Sequence, residues 1–306
     1  MGLSTVEMFK NINSSNNPIE LTGERLESLQ IVLDEMLADV NDICERYGIE
    51  YTLGGGTCLG AIRHRGFIPW DDDVDINMTR RGYRRFVQAY EKELSEKYWL
   101  HDCFRTDGYE LAFPRLRLKG TVVRSREDYQ CDECGAYIDI FIIENTPSNG
   151  ICRKVHGLIS MGLGLAYSCR RFAAHSADYL SLVKGDAEAT RAFKKKIAIG
   201  RVISFFSVES WTRTWDRWNS ICGNDESSYT TIPVGRKHYF GELQLRDNVF
   251  PVSHGQFDGI DVPLPNDPEI YMKSLYGDDY MSLPPVEKRE KHVVYEFDLG
   301  SYGTKS

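Results

Sequence analysis

Between Thr22 and Tyr47 the apolar residues fall three and four positions apart. Leu26, Leu29, Leu33, Met36, Val40, Ile43 and Tyr47 make one stripe, the pattern of a helix packed by one face on a core. About three heptads is short for a coiled coil, and Gly48 is a natural C-terminal stop. Beyond it the period changes. Ile49 to Leu53 reads as a strand running into Gly54-Gly55-Gly56-Thr57, and Thr57 to His64 as a short helix whose N-terminus faces that turn. Gly66-Phe67-Ile68-Pro69-Trp70 is a rigid connection into Asp71-Asp72-Asp73-Val74-Asp75-Ile76. On a strand from Asp73 to Met78, Asp73 and Asp75 share one face, and Val74 and Ile76 the other. A helix is predicted from Arg81 to Lys97.

Leu111 to Lys119 reads as a strand that sets Arg115, Arg117 and Lys119 on one face. Gly120 and Thr121 turn the chain, and Val122-Val123 reads as a strand paired with it. Ala136 to Ile143 is a further strand, apolar except for Asp139. Helical patterns dominate 151–221. Strands return from Tyr229, with a basic turn at 234–238, a hairpin over 257–265 and a helix from Asp267 to Tyr276. The predicted architecture is α+β. A mixed-sheet core flanked by helices (19–150) carries a helical insert (151–221), and 222–306 completes the core and offers an acceptor-binding region. Residues 1–18 are expected to be flexible.

The chain has 306 residues, 42% apolar and 27% charged, with net charge −8. That is an ordinary globular composition, and its acidity argues against a nucleic-acid partner. No stretch reaches transmembrane length. The first 17 residues lack the apolar region of a signal peptide, and Val6 stands where a myristoylation motif carries Ser or Thr. These features predict a cytoplasmic location. Between 151 and 206 lie ten basic and three acidic residues. Such a segment can sit on an anionic membrane face, which would put the protein peripherally at the inner membrane. The alternative is an insert that packs on the core and solvates its charges, because Lys194-Lys195-Lys196 alone is no amphipathic anchor. Eight cysteines do not make a disulfide framework. Cys131 and Cys134, with Cys152 and His156, have tolerable zinc spacing, but no second CxxC supports a zinc site.

The candidate chemistry lies in residues 54–76. Neighbouring carboxylates repel, and burying them unpaired is expensive. Magnesium removes that cost, taking one or two carboxylates and completing its shell with water and phosphate. An acidic surface turn is the alternative, but the strand alternation and the upstream glycine turn favour a metal–phosphate site. Asp139 is either an ion-pair partner for Arg115 or Arg117, or a third metal ligand. Arg115, Arg117 and Lys119 either hold a leaving phosphate or form a charged strand edge.

These residues resemble the LicD family of phosphotransferases, which includes the fukutin-type proteins. The likeness rests on Gly55-Gly56-Thr57-Cys58-Leu59-Gly60-Ala61-Ile62-Arg63-His64, on Gly66 through Ile76, and on Ile138-Asp139-Ile140-Phe141. It continues through Phe257-Asp258-Gly259, Val262-Pro263, Leu275 through Tyr280, Pro284-Pro285 and His292. The resemblance implies a nucleotidyltransferase-like fold. It makes Gly55, Gly56 and Thr57 the phosphate-binding turn and Asp73, Asp75 and Asp139 the metal-binding, catalytic acids. The implied reaction moves phosphorylcholine from CDP-choline to a hydroxyl of a glycan, lipid-linked glycan or teichoic acid precursor, with one or two Mg2+ ions and release of CMP. Another CDP-linked donor, carrying a phosphopolyol or phosphoethanolamine, is the near alternative. A true nucleotidyltransferase releasing pyrophosphate is a further one, and a non-catalytic nucleotide binder the most distant. Arg63 and His64 are candidates for the same phosphate. Trp70 is the candidate aromatic face for the choline cation, ahead of Tyr83 and Tyr129; a core anchor is its other reading.

Overall fold

The computed structural model describes residues 19–128, 131–183, 185–289 and 292–303. Tyr129 and the segment 1–18 lie outside the described residues. The first helix, α1 (Glu24–Tyr47), buries the predicted stripe up to Ile43, together with Val32, Leu37 and Cys44, and leaves Tyr47 half-buried. It ends at Gly48, whose φ of +57° places it in the left-handed region that glycine adopts freely. Strand β1 (Tyr51–Leu53) follows, then helix α2 (Gly55–Arg63), which starts two residues earlier than the pattern predicts. The acidic strand is β2 (Val74–Thr79), and Thr79 caps the next helix, α3 (Arg80–Glu93), by accepting from the Gly82 N–H.

That helix stops four residues short of Lys97. Residues 98–101 form β3 (Tyr98–His101), an edge strand that the sequence pattern does not reveal. The predicted strand 111–119 narrows to β4 (Arg115–Leu118). The predicted pairing of Val122-Val123 with it is wrong. Residues Val122–Ser125 form β5, which pairs antiparallel with β11 (Val294–Asp298) near the other end of the chain. Thr121 explains the departure: its hydroxyl donates to the Leu118 carbonyl and accepts from the Ala136 N–H, which turns the chain away from β4.

The long central strand is β6 (Tyr137–Asn145). The sheet order is β1-β2-β6-β4-β3, with β2 and β6 parallel and the other three pairings antiparallel. Strands β7 (Tyr229–Thr231) and β8 (Gln244–Leu245) extend it from the far end of β6. The result is a mixed α+β core flanked by helices, as expected. The helical segment comprises α4 (Gly150–Ala174), α5 (Ser176–Leu182), α6 (Ala187–Val202) and α7 (Val208–Asn219). It has its own small core around Phe172, Tyr179 and Phe193. After the short α8 (His238–Gly241), hairpin β9 (Ser253–Phe257) and β10 (Ile260–Leu264) turns at Asp258-Gly259, both at positive φ, as a tight hairpin turn requires. Phe257 and Val262, with Tyr271 and Met272 of α9 (Pro268–Tyr276), belong to the main core.

Candidate active site

Asp75 and Asp139 face each other because β2 and β6 pair in parallel with those two residues in register. Asp73 sits two residues upstream on the same face. Val74 and Ile76 point into the core and are fully buried. One carboxylate oxygen from each of Asp73, Asp75 and Asp139 lies within 4.8 Å of the others. A second group meeting the same limit joins Asp72 and Asp73 to His292.

The glycine turn is wrapped onto this cluster. The Gly54 N–H donates to the Asp75 carbonyl at 2.8 Å, and the Thr57 hydroxyl accepts from the Asp75 N–H at 2.8 Å. A Cβ on Gly55 would stand 2.5 Å from Asp75 Oδ2, and one on Gly56 2.9 Å from Asp71 Oδ2. Only residues without side chains let the backbone come this close to the acids. The Tyr271 hydroxyl lies 3.4 Å from the Gly55 N–H and accepts from Asn77 at 3.2 Å, so α9 supports the turn from behind.

Electrostatics mark the cluster as short of positive charge. Burial pushes Asp73 up to about 6; His292 and Arg115 pull it down, while Asp72 and Asp139 push it further up. Burial also raises Asp75, well above the usual carboxylate range, with repulsion from Asp73 and Asp139 adding to it. Asp139 is raised by burial in spite of Arg115. Three hard oxygen donors that share a partly exposed cluster and resist being charged together fit a divalent cation such as magnesium.

Asp139 is the ion-pair partner of Arg115, the first of the two readings that the sequence left open. It belongs to the carboxylate trio, and both of its oxygens accept from Arg115, Nη2 to Oδ2 at 2.8 Å. Arg115 is buried and lies on the Tyr137 ring, 3.8 Å from its centroid. Arg117 pairs with Asp128, which also accepts from the Ser125 N–H and hydroxyl. Neither arginine is the solvent-facing strand edge that was the alternative: both are buried. Lys119 lies beyond the end of β4 and donates to the Ser95 carbonyl. It is four residues from Arg115, about 13 Å along an extended chain, and is not brought to the cluster.

Arg63 donates to the Tyr280 and Ser282 carbonyls and holds the C-terminal loop. His64 lies beside it, with its imidazole lowered by burial and by Arg63. Trp70 packs against the main core and takes the Arg289 guanidinium on its ring, 4.1 Å from the centroid. Tyr83 is buried and donates to Asp102. Among the described residues no cluster of metal-ligating side chains includes Cys131 or Cys134. Both ring nitrogens of His156 are engaged, by Tyr239 and by the Trp218 carbonyl.

His292 is the functional neighbour that local pattern reading did not place in the site. Its Nδ1 is 2.8 Å from Asp72 Oδ1, its N–H donates to Asp72 Oδ2, and its Nε2 is 3.7 Å from Asp73 Oδ2. Burial lowers its pKa, but Asp72 and Asp73 outweigh that and hold the imidazolium well above the usual histidine range. The one sequence cue is a histidine following Pro284-Pro285 in the resemblance.

A glycine turn bound to a carboxylate trio on two parallel strands defines a nucleotidyltransferase-type centre. Residues 48–152 match the LicD/FKTN/FKRP nucleotidyltransferase domain. By that match residues 48–152 form a domain of the LicD type, and a likeness to a LicD transferase runs along most of the chain. It is 28% identical to the lipopolysaccharide cholinephosphotransferase LicD of Haemophilus influenzae over 284 residues, 89% of this chain and 97% of that protein. The ribitol 5-phosphate transferases FKRP of mouse and human are 46% identical over 46 residues, 15% of this chain and 9% of theirs.

Proposed function

We propose that the protein transfers phosphorylcholine from CDP-choline to a hydroxyl of a cell-surface glycan or its lipid-linked precursor, releasing CMP. The observation that carries this reading is the Asp73–Asp75–Asp139 trio, with its oxygens within 4.8 Å of one another beside the glycine turn. The similarity to a cholinephosphotransferase along nearly the whole chain supports the choice of donor. Asp73, Asp75 and Asp139 would hold one or two magnesium ions, which supply charge neutralisation for the diphosphate.

Phosphoryl transfer depends on positioning and charge more than on covalent catalysis. The acceptor hydroxyl attacks the choline-bearing phosphorus, a new P–O bond forms, and the bond to the CMP oxygen breaks. The hydroxyl proton passes to Asp73, which burial raises to about 6, because the Arg115 guanidinium against Asp139 makes that carboxylate the weaker base. Arg115 thereby fixes the orientation of Asp139. Backbone N–H groups at the start of α2 face the departing phosphate, where a helix N-terminus favours negative charge. A quaternary ammonium on Trp70 would displace Arg289 from the ring.

The test is mass spectrometry of products from the purified protein with magnesium and CDP-choline, CDP-ethanolamine or CDP-ribitol in turn. CMP from CDP-choline, lost by about a thousandfold in Asp75→Asn and Asp139→Asn, is the expected result. Turnover of CDP-ribitol instead, which the FKRP similarity would favour, moves the protein to the phosphopolyol branch. Pyrophosphate from CTP, or variants as active as the wild type, would overturn the reading.

A further inference from the structure

Away from the carboxylates, the helical segment carries an apolar stripe of its own. The α4 stripe Ile151, Val155, Leu158, Gly162, Leu165, Cys169 and Phe172 advances by alternating steps of four and three, so it lies along one side of the helix. Helix α6 covers only its C-terminal part. Phe193 stacks edge-on against Phe172, and Gly200 approaches so closely that a Cβ there would meet the Cys169 carbonyl at 1.9 Å. Beyond that crossing the stripe is uncovered. Ile151 is 75% exposed, Leu158 64% and Leu165 55%.

The end of α6 is apolar and exposed as well. Ile199 and Val202 are exposed, and Phe205 and Phe206 follow, tied to α4 by Arg170 donating to the Phe206 carbonyl. Upstream on the same side of α6 the character switches to basic. Arg191, Lys194 and Lys195 are exposed and line an open groove of about 660 Å³. Contiguous apolar patches of this kind are rare on a monomer's surface without a partner. The charge says what the partner is. In a chain of net charge −8, the exposed Arg191, Lys194 and Lys195, set against Asp186 in the same groove, draw this face to an anionic surface while the acidic remainder is repelled. Among the described residues no helix is long and apolar enough to cross a membrane. The arrangement suits a face that lies on a bilayer rather than one that enters it fully.

We propose that the helical segment docks on an anionic lipid bilayer. The N-terminal half of α4 and the end of α6 enter the headgroup–acyl boundary, and Arg191, Lys194 and Lys195 meet the lipid phosphates. Docking through this face does not depend on the chemistry at Asp73, Asp75 and Asp139 or on the identity of the donor.

Co-sedimentation of the full chain with vesicles tests it, using phosphatidylcholine alone against phosphatidylcholine rich in phosphatidylglycerol. The expected result is binding to the anionic vesicles that weakens with salt. Lys194→Ala with Lys195→Ala should lower the partition coefficient about thirtyfold, from the usual contribution of two juxtamembrane cations. Leu158→Ser with Leu165→Ser should lower it by about tenfold or more through lost apolar burial. All four side chains are exposed, so near-UV circular dichroism should be unchanged. In Leu158→Trp the emission should shift to the blue on adding anionic vesicles. No binding, or binding that both double variants retain in full, overturns the proposal. So does a vesicle-independent dimer in sedimentation velocity that the serine variant abolishes, which would make a second copy of the chain the occupant.

Discussion

Replacing Gly55 with alanine separates two costs that are usually entangled. Gly55 has φ of +44°, so any side chain there strains the backbone. The new Cβ would also stand 2.5 Å from Asp75 Oδ2, where ordinary contact begins at 3.4 Å, so the carboxylate must retreat by about 0.9 Å. Gly48 is the control. Its φ is +57°, but the nearest atom to its Cβ is Arg85 Nη2 at 3.9 Å, an ordinary contact. Both variants therefore carry about 1–2 kcal/mol of left-handed strain. Only Gly55→Ala adds about 0.5–1.5 kcal/mol for turning Asp75 off its rotamer. Urea denaturation should find Gly48→Ala the milder of two moderate losses. Activity should divide them far more sharply. A displacement near 1 Å at a reacting centre costs about a hundredfold, so CMP release should fall by that factor in Gly55→Ala and stay at wild-type level per folded molecule in Gly48→Ala. Calorimetric magnesium titration should show the same division. Equal activity in the two folded variants would refute the claim that the glycine turn sets the position of Asp75.

Two further outcomes follow from buried charge. Burial, with repulsion from Asp258, pushes Asp34 up to about 7, and its Oδ1 is buried without a hydrogen-bond partner. The folded chain thus holds a proton that the unfolded chain releases near pH 4, so this group makes stability fall as pH rises from about 4 to about 7. Asp34→Asn should flatten that slope and add about 2 kcal/mol at pH 8 after allowance for its partial exposure, with no gain at pH 4, read from urea midpoints. Arg80 joins the start of α3 to Glu144 on β6 and to Asp216 on α7. Arg80→Met strands a buried carboxylate and should cost about 3–5 kcal/mol, whereas Arg80→Met with Glu144→Gln and Asp216→Asn should recover much of it.

The parts of the fold that local pattern reveals are those built on local spacing. The α1 stripe is legible because every third or fourth residue is apolar over more than twenty positions. Asp73 and Asp75 are legible because Val74 and Ile76 alternate with them, and Asp139 because it is the lone acid in an apolar strand. Strand β3 is not legible, since Tyr98–His101 directly follows a charged run that reads as helix. Pairings fixed by distant segments leave no local trace: β5 finds β11 rather than its neighbour β4. Arg115 and Arg117 show the same limit. Their spacing correctly puts them on one face, but burial against Asp139 and Asp128 depends on strands whose order no spacing states. His292 is 220 residues from Asp72, and only the fold connects them.

The bridge between Ile19 and Val294, the contact of His292 with Asp72, and the pairing of β5 with β11 tie the chain's two ends across the acidic loop. During synthesis the carboxylates therefore emerge long before the histidine that balances them. Until residue 294 clears the ribosome, the nascent protein carries an incomplete strand pair and an acidic cluster that lacks the charge of His292. Domains tend to fold as they are made, N-terminal part first; here β11 gates completion. A chain that stopped before His292 would keep every proposed metal ligand and lose the closure that arranges them.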